Sequence, residues 1–285
     1  DGLFRACDIC QNNKYDGVVI ANEGMQFSAG VNLNFFYEMA LTKQWKKIDD
    51  FLYHFQQACK QLKYSYFPVI AAPSGLAIGG GYEVVAQTDF VVAHSNSIMG
   101  LVEPLVGLIP AGGGCKEMLR RWLEDTEVKK TPELASLKVF NLIGYATTMD
   151  SPAKSTKAKF LRKNDVMVMC RDRLIAEADK LITKTRESYQ PPKEAIFKLS
   201  GNAVMSDMIS ILEELKEKNI IAEHGMEVGK KLGYMLSGGN TDIYTPLTEK
   251  QLYDLEREVF LELIKQSPTQ MRIKHTLDTG KPLLN

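Results

Sequence analysis

The chain has 285 residues, of which 45% are hydrophobic and 25% are charged, enough apolar material for one substantial core and a second, smaller one. Its 35 lysines and arginines balance 35 aspartates and glutamates, so we expect no general affinity for nucleic acid or for anionic membranes. No apolar run approaches the length of a membrane span and no signal-peptide pattern opens the sequence, which favours a cytoplasmic protein with no membrane partner.

Cysteine and histidine usage argues against a disulfide framework and against a metal centre. The five cysteines are an odd number spread along the chain, which fits reduced thiols. Cys7 and Cys10 have the spacing of half a zinc site, but no second ligand pair follows, and both lie in an apolar run of helical period. We predict buried thiols, no metal, and four histidines in ordinary surface or core positions.

Up to about residue 115 the sequence alternates amphipathic helical stretches with short strands that are apolar throughout. The predicted strands span residues 17–21, 67–72 and 90–93. Between the first two, apolar residues recur at three- and four-residue steps from Phe51 to Tyr66, which predicts a crossing helix. This order indicates parallel pairing, so we predict an α/β core domain over residues 1–115.

Small residues fill the loops that follow two of these strands, and ligands of parallel sheets gather at the carboxyl ends of strands. One loop contains Ser28, Ala29, Gly30 and Val31, and the other contains Gly79, Gly80 and Gly81 ahead of a possible helix start. Such residues let a ligand lie directly against the backbone. The two loops therefore offer N–H groups to an oxygen that gains negative charge, as in the enolate of a thioester.

Two glutamates lie in these glycine-rich surroundings. Glu83 follows the glycines by one helical turn, and Glu103 lies in a loop beside Pro104 and ahead of the glycines at 112–114. Two carboxylates in one apolar pocket cannot both ionise easily, so the pair can hold an acid and a base together near neutral pH. Either glutamate alone is more typical of a solvated surface; together they predict a site that adds water across a double bond.

From residue 116 onward the pattern changes to long amphipathic helices, and we predict a mostly helical region over residues 116–285. The predicted helices span residues 174–186, 208–218 and 251–265. We expect no strand of comparable strength here. A basic run from Lys154 to Lys163 is more typical of a solvated helix face than of a phosphate site.

Three motifs resemble, in order and spacing, those of the enoyl-CoA hydratase, or crotonase, superfamily. They lie at residues 27–30, 79–83 and 103–113. The resemblance implies an α/β fold with a ββα spiral core and a helical C-terminal extension. It also implies an oxyanion hole made by the N–H groups of Val31 and Gly80, with substrate-binding positions at Ser28, Ala29, Gly30 and Gly79.

The same resemblance implies the activity and the roles of the glutamates. In the family's hydration of a trans-2-enoyl-CoA, the counterpart of Glu83 activates water for attack on C3, and that of Glu103 delivers a proton to C2. The product is a 3-hydroxyacyl-CoA of fatty-acid β-oxidation. The substrate is then an acyl-CoA, and hydration itself needs no cofactor.

The last residues resemble the C-terminus of bacterial two-activity β-oxidation proteins. The similar segments are 254–260, 268–273 and 280–285. In those proteins an NAD-dependent 3-hydroxyacyl-CoA dehydrogenase precedes the hydratase, and because no G-x-G-x-x-G motif occurs here we expect NAD to serve only a portion absent from this chain. The family's first strand is also absent, which predicts an N-terminal truncation. A homo-oligomer, or packing against a dehydrogenase domain, is expected from the resemblance.

Two alternatives stay open from the sequence. Another crotonase-type reaction, isomerisation or thioester hydrolysis, would use the same oxyanion loops, although two retained glutamates weigh against the isomerases. A non-catalytic assembly fragment would instead use the helical region for packing.

Overall fold

The structure is a computed structural model that describes residues 2–125 and 131–285. These residues form two compact units, each assembled from three segments of the chain. The first unit comprises Asp1–Val31, His54–Gly100 and Thr148–Lys193, and the second comprises Asn32–Tyr53, Leu101–Thr147 and Glu194–Asn285. Neither unit coincides with the continuous ranges 1–115 and 116–285, because residues 148–193 belong with the first unit.

The described helices and strands alternate in the first third of the chain and become mainly helical afterwards. The helices are α1 Gly2–Asn13, α2 Leu33–Leu41, α3 Trp45–Lys63, α4 Gly80–Ala86, α5 Gly114–Leu123, α6 Pro132–Gly144, α7 Pro152–Lys157, α8 Leu174–Thr185, α9 Met205–Glu217, α10 Glu223–Leu236, α11 Glu249–Ile264 and α12 Ser267–Thr279. The strands are β1 Val18–Ala21, β2 Val69–Ala72, β3 Leu76–Ile78, β4 Phe90–His94, β5 Ile98–Gly100, β6 Thr148–Met149, β7 Val166–Val168, β8 Ile196–Phe197 and β9 Leu247–Thr248. Short 3-10 helices span Glu103–Val106, Arg171–Arg173 and Gly201–Ala203.

A parallel sheet of four strands, in the order β1-β2-β4-β7, forms the centre of the first unit. The three strands predicted from their apolar runs are confirmed, with Val18 opposite Val69 and Ile70 opposite Phe90. The sequence predicted no strand of comparable strength after residue 116, but β7 lies there and extends this sheet by pairing with β4. Its three residues are all apolar, and the middle one, Met167, is exposed.

Helices cover both faces of this sheet, as uniformly apolar strands require. On one face, Leu174, Ala178 and Ile182 of α8 pack at four-residue steps against Ile70 and Val92. On the other face, Leu62 of α3 and Cys7 of α1 pack against Val69. Each fully buried Leu or Ile side chain contributes about 1.5–3 kcal/mol by leaving water. Cys7 and Cys10 are buried thiols, as predicted, and burial raises the pKa of both.

A second sheet, β3-β5-β6, completes the first unit. The loop after β1 joins its edge through a bridge between Ser28 and Ala77. The basic run begins in α7 and continues beyond it. Lys154 and Lys157 of the helix and Lys163 after it are exposed, as expected of a solvated surface. Arg162 departs from that prediction, because it donates a 2.6 Å hydrogen bond to the Thr88 carbonyl.

The described residues of the second unit are mainly helical and include the short antiparallel pair β8-β9. Its helices approach closely at Gly229 of α10, where an added Cβ atom would lie 2.3 Å from Cδ2 of Leu212 on α9. The Phe36 and Phe260 rings pack with centroids 5.3 Å apart. Across residues 2–125 and 131–285, no helix is long and apolar enough to cross a membrane, and no group of three or more potential metal ligands is found.

Candidate active site

The loop after β1 is joined by backbone hydrogen bonds to β3, the strand that leads into α4 in the first unit. The Ser28 N–H donates to the Leu76 carbonyl at 2.8 Å, and the Ile78 N–H donates to the Ser28 carbonyl at 3.1 Å. The Ser28 hydroxyl also accepts a hydrogen bond from the Gly30 N–H at 3.2 Å. These bonds fix the residues on either side of Ala29 at the edge of β3.

The three glycines at 79–81 are required by backbone shape and by close packing. Gly79 has φ of 55° and ψ of −134°, a conformation that residues with a side chain rarely adopt. Its N–H donates to the Gly100 carbonyl at 2.9 Å. At Gly81 an added Cβ atom would lie 2.4 Å from Cβ of Ser28. The predicted helix is present, but α4 begins at Gly80, inside the glycine run and not after it.

Val31 and Gly80 meet where the two loops converge. An added Cβ atom at Gly80 would lie 3.0 Å from Cγ1 of Val31, and one at Gly30 would lie 3.8 Å from the Gly80 nitrogen. Gly80 is the first residue of α4, so its N–H has no acceptor inside the helix. Within the described chain, no hydrogen bond is recorded from the N–H of Val31 or Gly80.

An apolar pocket lies against these loops within the first unit. Its lining includes Phe27, Ser28, Gly30, Val31, Phe55 and Gly80. Apolar walls strengthen any hydrogen bond made inside a pocket because water is excluded. A polar oxygen carried by an otherwise apolar acyl group suits these walls.

Glu83 lies one turn into α4 and is only 3% exposed. Its N–H donates to the Gly79 carbonyl at 3.0 Å. The neighbouring residue, Tyr82, anchors the helix: its hydroxyl donates to the Phe160 carbonyl at 3.0 Å, and the two rings meet edge to face with centroids 4.8 Å apart. The contacts of Tyr82 therefore hold in place the helix that carries the Glu83 carboxylate.

Glu103 belongs to the second unit, where it is the first residue of a 3-10 helix and not part of an irregular loop. Two hydrogen bonds from α12 hold this short helix. Arg272 Nη1 donates to the Pro104 carbonyl at 3.2 Å, and the Thr269 hydroxyl donates to the Gly107 carbonyl at 3.0 Å. Gly107 ends the helix in a left-handed conformation with φ of 78°. The joint action of Glu83 and Glu103 stays a prediction.

A buried histidine, His224, takes part in the hydrogen bonds that hold the 3-10 helix of Glu103. His224 Nε2 lies 2.8 Å from the Thr269 hydroxyl, whose proton is already donated to Gly107, so Nε2–H is the donor. Burial, and then the Arg272 charge, lowers the pKa of His224 to about 4. The histidine is therefore neutral. It occupies a core position, as the sequence allowed, but its place beneath the Glu103 helix was not predicted.

The glycines at 112–114 start α5, and a carboxylate of the second unit caps this helix. Glu256 accepts hydrogen bonds from the Gly113 N–H at 2.7 Å and from the Lys116 N–H at 2.8 Å. Gly113 has φ of 105°. The last glycine cluster is thus explained by helix capping in this unit.

A family model described as enoyl-CoA hydratase/isomerase matches residues 2–133. The chain is also similar to curated proteins over most of its length. It is 33% identical over 272 residues to a protein of Bacillus subtilis named probable 3-hydroxyacyl-CoA dehydrogenase, covering 95% of this chain and 34% of that protein. It is 29% identical to a putative fatty acid oxidation complex trifunctional enzyme of Rickettsia prowazekii, covering 87% of this chain and 31% of that protein.

The fold is similar to that of solved enoyl-CoA hydratases. An enoyl-CoA hydratase of Rhodobacter sphaeroides matches with a TM-score of 0.65 and 17% identity, covering 99% of this chain and 84% of that one. This match confirms the predicted crotonase-like α/β fold. The chain spans about a third of the length of the curated relatives named above.

Proposed function

We propose that this chain, whose residues 2–133 belong to the enoyl-CoA hydratase/isomerase family, hydrates trans-2-enoyl-CoA to 3-hydroxyacyl-CoA in fatty-acid β-oxidation. The observation that carries the proposal is the meeting of Val31 and Gly80 at an apolar pocket, with Glu83 buried one turn further along the helix that Gly80 begins. Paired N–H donors suit a thioester oxygen that becomes an enolate oxygen during the reaction.

In the proposed reaction the thioester oxygen accepts hydrogen bonds from the N–H groups of Val31 and Gly80. Glu83 takes a proton from water as the water oxygen bonds to C3. The electron pair of the C2–C3 double bond moves toward the thioester, and Glu103 then gives a proton to C2. Ser28, Ala29, Gly30 and Gly79 let the thioester approach the backbone, and the reaction needs no cofactor beyond the CoA of its substrate.

The support for Glu103 differs in kind from the support for Glu83. Glu83 shares the first unit with both proposed N–H donors. Glu103 is proposed from the spacing of its motif within the family match, which extends across residues 2–133. Its 3-10 helix is held by Arg272 and Thr269, a setting that suits a carboxylate whose position matters.

We also propose that the longer protein to which such a chain belongs has NAD-dependent 3-hydroxyacyl-CoA dehydrogenase activity. The names of the Bacillus and Rickettsia relatives support this proposal, as does the third of their length that the chain spans. NAD would serve that further portion. Homo-oligomerisation, packing against a dehydrogenase domain and a cytoplasmic location stay predictions.

The test is hydration of crotonyl-CoA by the purified chain, followed as loss of the conjugated enoyl-thioester absorbance. Glu83→Gln and Glu103→Gln should each lower kcat by about 10²–10⁴-fold, the usual contribution of a general acid or base. Glu177→Gln and Glu214→Gln are matched controls, since both glutamates pair with surface cations in the first and second units respectively. An inactive wild-type chain, or glutamine variants as fast as the controls, would overturn the proposal.

Product mass separates hydration from the alternative reactions on the same loops. Hydration adds one water to the acyl-CoA. An unchanged mass with a displaced double bond would identify an isomerase, and release of free CoA would identify a thioester hydrolase.

A further inference from the structure

We propose that Arg171 is a positioning residue for the loop after β1, because its guanidinium holds the start of this loop through three backbone carbonyls. Residues 22–31 of the loop and Arg171 itself belong to the first unit. The kinetic effect of Arg171 rests on the proposed hydration, whereas its effect on the loop does not depend on any reaction.

Arg171 connects the two outer strands of the four-stranded parallel sheet. It begins the 3-10 helix that follows β7, and the loop that it contacts follows β1, on the opposite side of the sheet. Because the strands pair in parallel, the chain leaves β1 and β7 at the same edge. The contact therefore spans the edge formed by the carboxyl ends of the strands.

Three consecutive carbonyls of the loop meet at one nitrogen of Arg171. Nη2 donates hydrogen bonds to the Asn22 carbonyl at 3.0 Å and to the Glu23 carbonyl at 2.8 Å, and it also donates to the Gly24 carbonyl. Each terminal nitrogen of a guanidinium has two N–H bonds, so the three acceptors share two donors. Hydrogen bonds from an ionised donor are roughly twice as strong as neutral ones. Arg171 thus fixes the direction in which the chain leaves β1.

The next residues of the loop lie against the turn before β3. An added Cβ atom at Gly75 would lie 2.2 Å from the Met25 carbonyl oxygen, and the Gln26 side-chain oxygen accepts a hydrogen bond from the Leu76 N–H. The Leu76 carbonyl in turn accepts the Ser28 N–H at 2.8 Å. A loop that moved at Gln26 would therefore disturb the residue that also holds Ser28.

Val31, whose N–H is proposed to hold the thioester oxygen, depends on the position of this loop. Between Ser28 and Val31 the chain passes through the exposed Ala29 and through Gly30, whose φ is 102°. Without the Arg171 guanidinium, the carbonyls of residues 22–24 would accept hydrogen bonds from water, and the loop could leave the turn before β3. The Val31 N–H would then be presented less precisely to the thioester.

Hydration of crotonyl-CoA by the whole chain tests the kinetic role of Arg171. Arg171→Met should lower kcat at least about fivefold and change KM less than about twofold, because oxyanion donors act mainly on the transition state. The matched control is Arg173→Met, since Arg173 lies in the same short helix and pairs with Glu177. Equal kcat values for the two variants would overturn the proposal.

Hydrogen–deuterium exchange tests the hold on the loop without any reaction. Arg171→Met should speed amide exchange over residues 22–31 at least about fivefold, whereas residues 223–236 of α10, in the second unit, should exchange as in the wild type. If the wild-type chain fails to hydrate crotonyl-CoA, the proposed hydration fails and the exchange result alone decides the role of Arg171. Unchanged exchange over residues 22–31 would overturn that role.

Arg171→Lys separates the hydrogen bonds to the carbonyls from the packing of the side chain. An ammonium has three N–H donors on one nitrogen, which suits three acceptors that meet at one atom, but the lysine side chain is one atom shorter. Arg171→Lys should therefore lie between Arg171→Met and the wild type in both kcat and loop exchange. A lysine variant as impaired as the methionine variant would overturn the proposal, because the carbonyl contacts would then not be what positions the loop.

Discussion

Gly80 and Val31 are packed so closely that a Cβ atom on Gly80 would lie 3.0 Å from Cγ1 of Val31. Carbon atoms in favourable contact are about 3.5–4.0 Å apart. A methyl group at position 80 therefore requires Val31 to shift by a few tenths of an ångström. The contact links the two loops whose N–H groups are proposed to hold the thioester oxygen.

We expect Gly80→Ala to lower kcat/KM for crotonyl-CoA by roughly 10–100-fold, because the new methyl group pushes Val31 and its N–H out of place. A loss of one oxyanion donor typically costs about 10²–10³-fold in kcat, and a displaced donor should cost less. Val31→Ala removes the obstructing Cγ1 atom. The double variant should therefore recover most of the lost activity.

Recovery of activity in the double variant distinguishes displacement of the Val31 N–H from a general loss of stability. If Gly80→Ala merely weakened the fold, Val31→Ala would add a second loss of packing, and the two effects would add. Activity of the double variant below that of Gly80→Ala would contradict the proposed contact between the loops. Thermal unfolding of all three variants provides the control.

The elements that sequence predicted are those whose signal is local. The strands β1, β2 and β4 were predictable because each is a short run of apolar residues. The close approach of the backbone at Gly79–Gly81 was predictable because three consecutive glycines have no side chains. β7 was missed because a strand of three residues, Val166–Val168, gives a short signal among long helical patterns. The support of Pro104 by Arg272 could not be predicted either, since 168 positions separate them and no periodicity connects them.

Glu256 should be essential for the stability of the second unit because it accepts both the Gly113 and the Lys116 N–H groups at the start of α5. We expect Glu256→Gln to lower the free energy of unfolding by about 1–3 kcal/mol, since one oxygen is replaced by a donor that faces another donor. Urea unfolding measures the loss. Glu258→Gln, at an exposed position of the same helix, is the control, and equal stability of the two variants would contradict the capping role.

Thr269 should matter through its hydroxyl, because it joins His224 to the Gly107 carbonyl. Thr269→Val keeps the shape but leaves two buried polar groups without their partner, which should cost about 1–3 kcal/mol. Thr269→Ser keeps the hydroxyl and should unfold within about 1 kcal/mol of the wild type. A valine variant as stable as the serine variant would show that the hydrogen bonds contribute little.

The buried His224 should make the protein less stable in mild acid. Its pKa is lowered from 6.5 to about 4 by burial and by Arg272, so between these values the unfolded chain binds a proton that the folded chain does not. The free energy of unfolding should therefore fall as pH decreases from about 6.5 to 4, by an amount of order 1 kcal/mol or more, and this contribution should level off below pH 4.

His224→Gln tests this assignment because the glutamine amide can still donate to the Thr269 hydroxyl but does not titrate. Urea unfolding of the variant should show a smaller loss of stability over that pH range, even if its stability at neutral pH is lower. Since carboxylates of the chain also begin to protonate toward the acid end, the difference between wild type and variant is the quantity to compare. Identical pH profiles for the two proteins would mean that His224 is protonated as readily in the folded chain as in the unfolded one.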